Sequence, residues 1–259
     1  MKTFLLLCLL SSVAFGKEPC KPITIAVIDT GFGYNGLGNG AKLCYAGHVD
    51  FTDSKRFSYY GEPNLIPTDT NGHGTNIVGI IDSYARKSKK DYCIMILKYY
   101  SSTQTGSQNL KAGTEAIKFA DEMGADFINY SGGGPEFDEK EYLTIKRFLD
   151  RGGRFVAAAG NDAKNIDVRG NEYYPAKYDK RIVIVGNAKK HPPEHVFVGN
   201  LTENEVRSKS SNYGKSVNRW EVGEDVWAYG LVYSGTSQAT AVATGKLVSE
   251  THRQCDIGF

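Results

Sequence analysis

Short apolar runs rich in β-branched residues alternate along this chain with segments whose apolar residues recur at helical spacing, and this alternation restricts the fold more than any other feature. Ile23 to Ile28 is such a run; Asp29-Thr30-Gly31 closes it, so it reads as a buried strand ending in a turn. Glycines then punctuate a loop before a second strand expected over Lys42 to Phe51. Ile77, Val78, Ile80, Ile81 and Tyr84 fall at helical spacing, which places His73 in the first turn of a buried helix. A strand over Cys93 to Tyr99, a helix over Leu110 to Met123 and a strand over Phe127 to Tyr130 follow. Glu139 to Arg151 reads as a helix stopped by Gly152-Gly153. Arg154 to Ala159 and Arg181 to Val185 read as strands, and a last helix runs from near Thr236 to about Glu250.

Strands alternating with helices predict an α/β fold, a mainly parallel sheet covered by helices on both faces. A chain of 259 residues that is 41% hydrophobic can bury one large core, so a single domain is expected. Ligands of such sheets bind beyond the carboxyl ends of the strands, where Asp29 and Asn161 both fall.

Residues 1–16 have a different character. Lys2 precedes an apolar run from Phe4 to Leu10, and Ala14-Phe15-Gly16 supplies the small residues a signal peptidase needs. The run is well short of the roughly 18 to 20 residues that span a bilayer, so a removed export signal is expected rather than a stable membrane anchor. Secretion or delivery to a periplasm follows. Lys and Arg total 31 against 29 Asp and Glu, and this net charge of +2 provides no field to attract nucleic acid. After removal of Cys8 with the signal, Cys20, Cys44, Cys93 and Cys255 remain, an even number in a compartment where disulfides persist. Three connectivities are open. None of the spacings is CxxC, which argues against a zinc site.

Three segments carry chemistry. Asp29 follows a strand in IAVIDTG, His73 opens a helix in NGHGTNIVG, and Ser237 opens another in SGTSQATAVATG. A strand end holds a carboxylate rigidly, and a helix N-terminus sets free N–H groups and partial positive charge beside a reacting atom. Singly, each reads equally as a turn or a capped helix start. Together, in the order Asp, His, Ser, they resemble the subtilase family of serine proteases over roughly residues 23 to 250. INYSGGG at 128–134, VAAAGND at 156–162, YYPAKY at 173–178 and RIVIVGNA at 181–188 match in the family's order.

The resemblance implies a subtilisin-like three-layer fold and a serine endopeptidase. His73 would act as general base toward Ser237, Asp29 would stabilise the imidazolium, and Asn161 and the Ser237 N–H would hold the oxyanion. Ser131, Gly132 and Gly133 would pair with an extended substrate, while Ala158, Ala159, Gly160 and Tyr173 would border its first pocket. An inward Tyr173 would shorten that pocket, and Asp162 at its rim would favour a basic residue. The fold favours pairing Cys44 with Cys93, which leaves Cys20 with Cys255. The implied partner is a protein or peptide substrate, the expected state a monomer.

Three departures from the family pattern stand out. The helix after Ser237 reads Gln238-Ala239-Thr240-Ala241-Val242 where many members carry a proline, which removes a bend but no catalytic group. Only about six residues separate the inferred cleavage site from the first strand, so residues 17–259 are expected to form the catalytic domain without an inhibitory prodomain. No cofactor is expected. The stretch from His73 to Lys98 is shorter than in calcium-binding members, so their main calcium loop is not expected, and structural calcium elsewhere stays open. Asp50, Asp53, Asp69 and Asp82 read as surface or capping carboxylates.

Pro192-Pro193 argues against a helical metal pair of His191 and His195, and His48 and His252 belong to no constellation. Asn200-Leu-Thr202 fits a glycosylation acceptor; Asn129-Tyr-Ser131 fits by coincidence, since glycosylation there would block the substrate strand. The alternative function is a binding module that keeps the fold and cleaves nothing. A nucleophile-elbow esterase is disfavoured, because Gly235-Thr236-Ser237-Gln238-Ala239 lacks the final glycine.

Overall fold

The computed structural model describes residues 20–53, 59–60, 66–88, 90–189 and 207–253. The expected export signal, Cys255, His191, His195 and Asn200 lie outside these residues.

Ten strands and four α-helices organise the described chain: β1 Ile23–Asp29, β2 Ala46–Asp50, β3 Tyr59–Tyr60, α1 His73–Ala85, β4 Tyr92–Lys98, α2 Gly106–Glu122, β5 Phe127–Tyr130 and α3 Glu139–Asp150. β6 Arg154–Ala158, β7 Val183–Ala188, β8 Arg219–Val222, β9 Val226–Ala228, β10 Leu231–Tyr233 and α4 Thr236–Glu250 complete the order. Strands β1 to β8 form one sheet in the order β3-β2-β4-β1-β5-β6-β7-β8, with β9 and β10 a separate hairpin. Every neighbouring pair of the large sheet is parallel except β2 with β3.

The period of two along β1 divides the core. Ile23, Ile25 and Val27 face one side with Ile77, Ile80 and Ile81 of α1 and Ala239, Val242 and Val248 of α4. Ala26 and Ile28 face the other with Ala116, Ile117 and Ala120 of α2 and Ile145 and Phe148 of α3. This is the three-layer arrangement expected, with two helices on each face.

Local differences have local causes. α2 begins at Gly106, four residues earlier than its apolar pattern, because Thr105 and Gln108 form a reciprocal capping box. β2 covers only the end of the expected Lys42–Phe51 strand; before it, Leu43 makes an isolated bridge to Ile94 and Cys44 is bonded to Cys93, with Cα atoms 4.7 Å apart. β7 starts two residues late, because the Asp179 carboxylate accepts from the Arg181 N–H (2.9 Å) and holds a turn there. His48 is buried on β2, where its Nδ1 accepts from the Ile96 N–H (3.0 Å) and its Nε2 donates to the Cys44 carbonyl (2.9 Å).

Candidate active site

At the topological switch, β4 and β5 flank β1 from opposite sides, so the carboxyl ends of the three strands open a crevice. Asp29 is the last residue of β1 and 4% exposed. Its Oδ1 accepts from the Thr30 N–H and from His73 Nδ1, each at 2.8 Å. A carboxylate only accepts, so the His73 proton sits on Nδ1 and Nε2 is left as the basic nitrogen.

Asp69 fixes this geometry. Its Oδ1 accepts from the Thr30 hydroxyl (2.9 Å), the Asn71 N–H (2.9 Å) and the Gly72 N–H (2.8 Å); its Oδ2 accepts from the Thr75 N–H (2.9 Å) and hydroxyl (2.6 Å). The Thr30 hydroxyl in turn accepts from the Gly74 N–H (2.8 Å), fastening the start of α1 to the end of β1. The two backbones approach so closely that a Cβ on Gly74 would lie 2.4 Å from the Gly31 carbonyl oxygen. Burial would raise the Asp69 pKa, but the hydrogen bonds from Thr75, Gly72 and Asn71 outweigh it and hold it below 3.8. Burial would likewise lower the His73 pKa, yet the Asp29 charge and hydrogen bond, with Asp69 behind them, leave it raised above 6.5. The Tyr233 ring stands edge-on to His73, centroids 5.7 Å apart.

Ser237 lies in the first turn of α4 and is 8% exposed. Its hydroxyl donates to the Ser131 carbonyl (3.0 Å), and the Ser131 hydroxyl donates back to the Ser237 carbonyl (3.4 Å). Asp29, His73 and Ser131 line one cavity of about 240 Å³ together with Tyr99 and Tyr100. Asn161 follows β6, and its Oδ1 accepts from the Thr236 N–H (2.9 Å), which turns the amide nitrogen away from that contact as a free donor.

The loop around Asn161 is held by Asn212, which is 1% exposed. Its Oδ1 accepts from the Asp162 and Lys164 N–H groups (3.0 Å each), and its Nδ2 donates to the Ala159 carbonyl (2.8 Å). Ala158 and Ala159 are themselves buried in the core, whereas Tyr173 lies between the two glycine segments: a Cβ on Gly133 or on Gly160 would meet its ring at 2.5 or 2.9 Å. Burial and the Asp162 charge push the Tyr173 phenol up to about 12. Asn129 is fully buried and bonded to the Ser131 and Thr244 hydroxyls.

Asp69 reads from sequence only as a surface or capping carboxylate; it is buried and caps the start of α1. Asn212 and Tyr233 are absent from the motifs and have no local pattern that separates them from ordinary loop residues. Asp50 bonds Thr52 and Asp82 bonds Arg86 and Tyr92, so these carboxylates also serve neighbours.

Residues 21–249 match the model of the subtilase family of peptidases. This chain belongs to the subtilase family. Subtilases are serine-type hydrolases, and halolysin of Haloferax mediterranei is 28% identical over 232 residues, covering 86% of this chain but 40% of its own length. The intracellular serine protease of Paenibacillus polymyxa is 26% identical, covering 88% of this chain and 66% of its own length. This subtilase therefore spans about two-thirds or less of these relatives. Among solved structures, a lanthipeptide protease superposes with a TM-score of 0.65 at 21% identity, covering 87% of this chain and 72% of that one. A cold-adapted subtilisin-like proteinase gives 0.62 at 23%, covering 86% and 72%, so both attest the fold. No helix among the described residues of this subtilase is long and apolar enough to cross a membrane.

Proposed function

We propose that this subtilase is a secreted serine endopeptidase that cleaves extended protein segments through Asp29, His73 and Ser237, following a removed export signal. The observation that carries the reading is the Asp29 to His73 contact of 2.8 Å, which leaves Nε2 basic in a cavity shared with Ser131, the residue that holds the Ser237 hydroxyl. The Cys44–Cys93 disulfide supports an oxidising compartment.

A hydroxyl has one proton, so Ser237 turns from the Ser131 carbonyl toward His73 Nε2 when it reacts. His73 takes that proton as Ser237 Oγ attacks the substrate carbonyl, and the oxyanion accepts from the Asn161 amide and the Ser237 N–H at the positive end of α4. His73 then gives the proton to the leaving amine, and water releases the acyl group by the same route in reverse. Ser131 to Gly133 pair with the substrate backbone, and Tyr173, with Gly160 beside it, closes the first pocket early, favouring a short side chain there.

The test is casein hydrolysis by the exported chain beside Ser237→Ala matched for folding. Activity lost with Ser237 is the expected result; a folded native chain that leaves casein intact, or equal cleavage by both, overturns the reading.

A further inference from the structure

A second cavity, of about 600 Å³, adjoins the first: both are bordered by Tyr99 and Tyr100, and the second continues along Gly133 and Gly134 to Tyr174. One edge of this glycine segment is already taken, since the Gly134 N–H donates to the Tyr174 carbonyl (2.9 Å) and the Tyr174 N–H donates back (2.7 Å). The side toward Tyr99 and Tyr100 borders the open crevice. A peptide laid along Ser131 to Gly133 therefore passes this cavity, and side chains of one parity on an extended strand point to one face.

The lining is unusual for an apolar subsite. Glu141, in the first turn of α3, lines the cavity although it is only 2% exposed. The partners it has are neutral: the Tyr178 hydroxyl donates to its Oε2 (2.8 Å), and the Tyr130 hydroxyl also bonds it. These hydroxyls do not offset its burial, which leaves its pKa raised to about 7 despite the Tyr178 bond, with the nearby Asp138 charge adding to the rise. A buried carboxylate held this way is relieved by a cation. The rest of the wall favours the same visitor. Tyr99, Tyr130 and Tyr174 contribute aromatic rings, Glu136 adds a second acidic residue, and no lysine, arginine or histidine is among the lining residues.

We propose that this cavity receives a lysine or arginine side chain of the substrate, with Glu141 as its counter-charge, so that the chain selects extended segments carrying a basic residue at one position removed from the scissile bond. This rests on the endopeptidase reading for its place in a reaction, while the recognition itself is a binding property of the cavity.

The test uses a peptide series in which lysine, or its uncharged counterpart norleucine, is placed in turn at each position around one cleavable bond. Two readouts run in parallel: kcat/KM with the exported chain, and Kd by calorimetry with Ser237→Ala. Lysine is expected to be preferred at least about tenfold at one position away from the bond, in both readouts. Glu141→Gln, matched for melting temperature, is expected to bring that ratio to near one, and Glu141→Leu, which needs no hydroxyl partners, to invert it toward norleucine. A ratio near one at every position in the native chain, or a preference that survives both substitutions, overturns the proposal. The two readings part cleanly: cleavage without lysine preference removes this proposal and leaves the endopeptidase, whereas a lysine-dependent Kd without any cleavage does the reverse.

Discussion

Whether His73 can act as a base is decided by which of its nitrogens Asp29 occupies and by the net charge around the ring. Nδ1 is taken, and the raised pKa means that the imidazole stays protonated to a higher pH than a free histidine. A base must be neutral, so kcat/KM should rise with pH through an inflection above 6.5, the ordinary value. Asp29→Asn removes the charge that raises it and should move the residual activity's inflection down while cutting the rate by about 10⁴-fold, since the amide permits the wrong tautomer. An inflection at or below the ordinary value in the native chain would sink this account of His73. In the proposed mechanism, Asn161 acts later, on the oxyanion alone. In subtilisin, loss of one such donor costs about 10²–10³-fold in kcat, and Asn161→Ala should cost the same here with KM little changed. A loss expressed in KM would assign Asn161 to ground-state binding.

The elements place these side chains, and three of the four helices could be bounded closely from sequence because their ends are written locally. α1 opens in the His-Gly-Thr segment after Gly72, α3 stops at Gly152-Gly153 and α4 opens at Gly-Thr-Ser, whereas α2 starts in a polar turn whose capping box gives no apolar signal. β8 and the β9–β10 hairpin were not legible: they are short, and Trp220 packs on the sheet only because tertiary neighbours put it there. The same limit hid Asn212. Its three side-chain bonds run to Ala159, Asp162 and Lys164, some fifty positions away, so nothing near it in the chain announces them. Asn212→Ala leaves two N–H groups and a carbonyl in the loop without partners, and should cost about 2–4 kcal/mol of stability. Because that loop aims Asn161, kcat should fall as well, in a chain still folded below its lowered melting temperature. Denaturant unfolding paired with single-turnover kinetics checks both; unchanged kcat would show that the Thr236 N–H alone suffices to aim the amide.

At the scale of the molecule, the parallel sheet sets the ends of β1 and β5 side by side through long crossovers, and Ser237 is tied to the end of β5 by its bond to the Ser131 carbonyl. The segment from Cys44 to Cys93 is the most consequential of these connections, since it carries α1 and His73 between β2 and β4. Its two ends are tied by the disulfide across a sequence separation of 49. Closing a loop of that length removes enough freedom from the unfolded chain to stabilise the native one by about 4 kcal/mol on the chain-entropy account. For a chain of this size that corresponds to a melting temperature about 8–16 °C higher. The double substitution Cys44→Ala with Cys93→Ala should therefore melt that much lower by circular dichroism, and thermal inactivation of peptide hydrolysis should shift with it because His73 rides on the released segment. If the melting temperature falls but inactivation does not follow, opening of this segment is separate from loss of the site; if neither moves, the bridge constrains a loop that β2, β4 and α1 already hold by themselves.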